Sequence, residues 1–143
     1  MTVSESRAVQ YALACINPDN LRAPRYVKKQ CAAWLDIVEG KDPNAYVCER
    51  SFRIICNILK LIIHPDLQKP LYECMEPYAW LLIIAVFCTK TKDGYRYYQT
   101  ALLEIARKNF KTFYSAVIFI IGMLTEQRFG RYFSVAPDLK LSK

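Results

Sequence analysis

Glycine is scarce in this chain, histidine occurs once, and cysteine never pairs at short spacing: the 143 residues hold four glycines, one histidine and six cysteines. Each shortage removes a class of chemistry. The cysteines, at positions 15, 31, 48, 56, 74 and 88, form no C-x-x-C pair, and only His64 could join them as an imidazole, which argues against a metal site. They read as reduced core residues. The longest apolar runs, residues 78–88 and 114–124, fall well short of the ~20 residues that span a bilayer. The opening Met-Thr-Val-Ser-Glu-Ser-Arg has no apolar signal core, and no collagen-like, repetitive or low-complexity stretch occurs. The expectation is a soluble, intracellular protein with no membrane partner.

What is present is a globular composition, 53% apolar and 23% charged, at a length that suits one domain. The balance of 20 basic against 13 acidic residues gives a net charge of +7. That excess fits a polyanionic partner such as a nucleic acid or nucleotide, and it also fits ordinary solubility charge.

The first ninety residues carry helical signals. Ser4 can cap a helix with Ala8, Tyr11, Ala12, Cys15 and Ile16 on one face, stopped by Asn17-Pro18. From Pro24, Val27, Cys31, Trp34, Leu35 and Val38 share a face, and Gly40 stands in the terminating position. A third helix is predicted over residues 46–63, with Val47, Ile54, Ile58, Leu61 and Ile62 inward and His64-Pro65 as the stop. Pro77 opens a fourth over residues 78–89. Arg22, Arg25, Lys28 and Lys29 fit either a DNA phosphate track or an exposed face.

After Cys88 the texture changes around the turn at Asp93-Gly94, which places an organisational boundary there: residues 1–92 form a helical N-terminal region and 93–143 a second portion. Residues 100–106 are almost continuously apolar and read as a strand covered on both faces, with Glu104 either paired to a core base or at an edge. Residues 113–124 have the length of a helix, and 131–136 read as a second strand. Strand, helix, strand predicts a right-handed parallel crossover and hence an α/β fold. The turn between the first strand and the helix ends in Lys111-Thr112. A strand-to-helix turn aims unpaired N–H groups at an anion, a lysine adds a mobile ammonium, and a threonine hydroxyl can ligate magnesium. The P-loop (Walker A) pattern G-x-x-x-x-G-K-[ST] would have glycines where this chain has Ile105 and Phe110. Left-handed backbone at Phe110 would cost about 1–2 kcal/mol relative to glycine.

Three strings, Leu103-Glu-Ile-Ala-Arg-Lys-Asn-Phe-Lys-Thr112, Phe119-Ile-Ile-Gly-Met-Leu-Thr-Glu126 and Tyr132-Phe-Ser-Val-Ala-Pro-Asp138, together closely resemble the large terminase subunit of tailed bacteriophages. The resemblance covers at least Pro24 to the last residue. In that family a helical segment precedes an ATPase domain with a phosphate loop of the form R-K-N-G-K-[ST], and a nuclease domain follows. It implies that residues 93–143 open a P-loop ATPase domain, incomplete here, of a protein that pumps viral DNA into a capsid with ATP and Mg2+. Lys111 would then contact the β- and γ-phosphates, Thr112 would hold the metal, Arg107 would open the loop, and Lys108, Asn109 and Phe110 would shape its rim. Glu76-Pro-Tyr-Ala-Trp-Leu-Leu82 resembles an upstream motif whose glutamine reads adenine; Ala79 stands in its place here, leaving Tyr78 or Trp80 to stack on a base.

The resemblance also implies double-stranded DNA, the portal and the terminase small subunit as partners. It implies a location in the host bacterial cytoplasm at the portal vertex, and homo-oligomers in the full-length protein. The later acidic-tipped strand and the two-metal acidic cluster are not seen, so no residue here is expected to be catalytic and isolated hydrolysis is not expected. Two other readings stand beside it: a truncated terminase relative that binds packaging components and redirects packaging, and a basic helical DNA-binding module in which Lys-Thr is incidental. His64 reads as a helix-end residue and both tryptophans as core anchors.

Overall fold

In the computed structural model of the chain, which describes residues 2–106, 109–126 and 131–133, short local signals set most of the helix ends. The first helix, α1 (Arg7–Ile16), is capped by Ser6 rather than Ser4: the buried Ser6 hydroxyl accepts from the Val9 amide at 3.4 Å, while Ser4 is turned toward Thr2. A serine cap of this kind contributes about 1 kcal/mol. Helix α2 (Arg25–Val38) ends as Gly40 predicts, in a left-handed turn with φ +73°. The Gly40 amide donates to Ile37 O at 3.0 Å and the Lys41 amide to Asp36 O at 2.8 Å, the paired bonds of a Schellman motif.

Tyr46 and Val47, expected to begin the third helix, instead belong to a short strand, β1 (Ala45–Val47). It pairs antiparallel with β2 (Thr89–Thr91), in the register Ala45↔Thr91, Tyr46↔Lys90 and Val47↔Thr89. Trp34 anchors this corner from α2, its buried indole N–H donating to Thr89 Oγ1 at 3.1 Å. Helix α3 (Glu49–Leu61) therefore starts late, and it also faces another way than its pattern suggested. Phe52, Ile55, Cys56 and Leu59 are buried, whereas Ile54 and Leu61 are exposed and Ile58 and Ile62 half-buried. Two stripes of equal regularity compete on α3, and the one that carries the aromatic ring wins the core, because a Phe side chain buries more apolar area than an aliphatic one.

A one-turn helix, α4 (Leu71–Cys74), leads to α5 (Pro77–Cys88), which Pro77 opens at the first helical position. Helix α5 carries no charged residue and buries Ala79, Trp80, Ile83, Ile84, Phe87 and Cys88. An all-round apolar helix must lie inside. It packs against α1, α3 and the last helix, α6 (Lys111–Thr125), which buries Tyr114, Val117, Ile121 and Gly122.

The fold is thus mixed, helices with one small sheet, but the expected parallel strand-helix-strand unit is not present among the described residues. The one sheet among the described residues is antiparallel. Residues 100–106 run without regular pairing, with Leu103 and Ile105 half-buried and Leu102, Glu104 and Ala106 exposed. Ala101 and Leu103 border a cavity against α5 and Ile118, and among the described residues no neighbouring strand pairs with this backbone. Glu104 faces solvent. Residues 131–133 carry no strand, and 134–136 lie outside the described residues, as do Arg107 and Lys108. Among the described residues no helix is long and apolar enough to cross a membrane. All six cysteines are free thiols, four of them buried.

Candidate phosphate-binding site

The turn that enters α6 is unusual in its backbone. Phe110, the residue before the helix, has φ +53° and ψ +26°, the left-handed conformation that glycine adopts without strain, and its carbonyl accepts from the Tyr114 amide at 2.9 Å. Lys111 and Thr112 are the first two helical residues, both exposed. The amides of Lys111, Thr112 and Phe113 have no carbonyl to meet within the helix, and no side chain among the described residues caps them. No acidic side chain stands in the first turn. The positive end of the helix dipole, a lysine and a hydroxyl therefore stand together at one exposed helix start.

Two aromatic contacts hold the turn. The buried ring of His64 lies edge-on to Phe110, with centroids 4.8 Å apart at 70°, and to Phe113, at 5.5 Å and 62°. From α5, Tyr78 Oη donates to the Asn109 carbonyl at 3.4 Å, and Asn109 Nδ2 donates to Ala106 O at 3.4 Å. Burial, and then the nearby Glu76 carboxylate, push the Tyr78 phenol above its ordinary value, so it stays a donor. Tyr114, from α6, accepts the Glu76 amide on its hydroxyl at 3.3 Å, joining the starts of α5 and α6.

Of the residues singled out from sequence, the structure brings Tyr78, Asn109, Phe110, Lys111 and Thr112 together at this turn. Trp80 is elsewhere: it is 1% exposed, its ring packs edge-on against Tyr72 at 5.5 Å, and its indole N–H has no partner among the described residues. A base could not reach that ring without opening the core. Ala79 is likewise buried and offers no side-chain polar atom, so the amide that would read adenine has no substitute at that position. No cluster of three or more metal-ligating His, Cys, Asp or Glu side chains occurs among the described residues. The Thr112 hydroxyl alone would hold magnesium only as part of a phosphate complex.

His64 is the residue that sequence reasoning missed. A histidine before proline reads as a helix end, and nothing in local spacing links it to Phe110. Two cavities lie away from the turn. An apolar one of about 150 Å3 sits under Ala101 and Leu103, between α5 and Ile118 of α6. A polar one of about 450 Å3 is bordered by Lys90, Arg96, Gln99, Arg131 and Tyr132, with Arg96 paired to Glu126 at 3.0 Å. Neither is lined by Lys111 or Thr112.

No family model matches the chain, and neither a curated protein nor a solved structure is significantly similar to it.

Proposed function

We propose that the chain binds ATP with Mg2+ through the turn before α6, as the phosphate-binding part of a DNA-packaging ATPase of the terminase large-subunit kind. The observation that carries this reading is the left-handed Phe110 followed by Lys111 and Thr112 at the start of α6, within the string that resembles R-K-N-G-K-[ST]. A bulky residue in that conformation costs about 1–2 kcal/mol, and such strain is found where function demands it.

The residues present fit a triphosphate. The amides of Lys111, Thr112 and Phe113, uncapped by any side chain among the described residues, can donate to an anion, and no acid in the first turn opposes it. Lys111 would neutralise the outer phosphates, Thr112 would hold Mg2+, and Asn109 would shape the rim together with Arg107 and Lys108, which lie outside the described residues. ATP, when bound, supplies the phosphoryl group whose transfer powers movement. Tyr78 fixes the turn through its bond to Asn109 O. In the complete machine the substrate would be double-stranded DNA, with the portal and small subunit as partners, at the capsid vertex in the bacterial cytoplasm. The buried Ala79 favours a second reading, a terminase-like interaction protein that engages packaging components without nucleotide.

Titration of the chain with Mg-ATP tests the first reading. Saturable binding that needs Mg2+ and weakens at least about tenfold in Lys111→Ala, equivalent to about 1.4 kcal/mol, is expected. Absence of binding by the native chain overturns it. Capture of a packaging protein independent of nucleotide would then support the second, and salt-sensitive DNA binding indifferent to Lys111→Ala would support a basic DNA module.

A further inference from the structure

We propose that His64 is a positioning residue for the phosphate turn, standing in for the glycine that the turn lacks; this rests on the ATP-binding reading above. The argument begins with how firmly the imidazole is held. His64 is 4% exposed, and its Nδ1 accepts from two backbone amides, Asp66 and Leu67, each at 3.2 Å. That network assigns the proton of the neutral ring to Nε2. Its own amide donates to Lys69 O at 2.8 Å, its carbonyl accepts from the Gln68 amide at 3.0 Å, and Ile63 bridges Pro70 beside it. The loop between α3 and α4 is therefore a closed, self-bonded turn that presents one ring at a set angle.

That ring meets Phe110 and Phe113, the two aromatic side chains on either side of Lys111-Thr112. An edge-on aromatic pair contributes stabilisation of the same order as the penalty for a left-handed bulky residue. The contact is thus large enough to offset the strain at Phe110. Glycine would take φ +53° unaided; phenylalanine takes it because its side chain has a partner in that conformation. The geometry of the phosphate turn then depends on a loop that belongs to the α3–α4 connection and touches no phosphate.

A four-protein cycle tests this: the native chain, His64→Ala, Phe110→Gly and the double variant. With Mg-ATP, His64→Ala is expected to weaken binding about tenfold in the native background, about 1.4 kcal/mol, and less than about twofold beside Phe110→Gly, where no strained ring needs holding. Equal losses in both backgrounds would mean that His64 only supports its own loop, and would overturn the proposal. His64→Asn, which keeps an acceptor for the Asp66 and Leu67 amides but removes the ring, replaces His64→Ala if the latter does not fold. Thermal midpoints of the same four proteins without nucleotide separate this proposal from the ATP reading. If no protein binds ATP, non-additive midpoints still support the His64–Phe110 coupling while the nucleotide reading fails; additive midpoints overturn the coupling whatever ATP does.

Discussion

Among the described residues left-handed backbone occurs at Gly40, Gln68, Gly94 and Phe110, and the turns at Gly40 and Phe110 reach it by different means. At the end of α2, Gly40 takes φ +73° with nothing within 4 Å of where a Cβ would stand. At the start of α6, Phe110 takes φ +53° with its ring against His64. The first conformation is supplied by residue type and would persist in almost any surroundings. The second is supplied by a tertiary contact and exists only when α3, its following loop and α6 are assembled. Where α2 ends, local chemistry suffices; where α6 begins, a contact from elsewhere in the fold accompanies the left-handed backbone.

The comparison can be broken most severely in α2, the helix that the first turn ends. Trp34→Ala removes a fully buried ring and its bond to Thr89, and is expected to cost about 3–5 kcal/mol in urea unfolding. A loss under about 1 kcal/mol would mean that α2 is not tied to the core through this residue. Next in size, Gly40→Ala isolates conformational strain, since the new methyl meets no neighbour. Its cost should be about 1–2 kcal/mol. Phe110→Gly, by contrast, should leave stability within about 1 kcal/mol, because relief of strain is offset by the lost ring contact. If the two substitutions changed stability equally, the distinction between the turns would be void.

The smallest effect concerns pH. Burial first, then the neighbouring Cys15, raises the Cys31 thiol from 9.0 to about 12. Since the folded value lies above the unfolded one, the stabilisation is whole below about pH 9 and is lost as pH rises towards 12. Circular dichroism between those limits should show helix loss that Cys31→Ala makes shallower, and a curve unchanged by that substitution would contradict it.

Local punctuation explains what was legible in advance. Asn17-Pro18, Gly40 and Pro77 each act on the backbone within a few residues, so three helix ends could be read directly. The inward face of α3 could not, because Ile54 and Leu61 repeat as regularly as Phe52, Ile55 and Leu59 and only packing chooses between them. A strand of three residues, β1, is too short to leave a period, and its partner β2 lies beyond α5. Residues 100–106 show the opposite error: an almost continuous apolar run reads as a strand covered on both faces, but it does not say whether another strand is present to pair. At the candidate site Lys111 and Thr112 were visible as a motif, and the strain at Phe110 was conditionally foreseen. His64 was not, since its role arises from a contact between segments distant in sequence.

The apolar circumference of α5 has a consequence for how the polypeptide comes into being. As the chain leaves the ribosome, α1 to α4 precede this helix and can cover part of it at once, but the side that meets α6 waits until Lys111 and the residues after it have been made. During that interval the apolar side of α5 that carries Leu82, Ile83, Val86 and Phe87 faces water, attractive to chaperones and to other nascent chains. The same helix that bears Trp80 and the buried core therefore makes synthesis of α6 the step at which the newborn protein ceases to be adhesive.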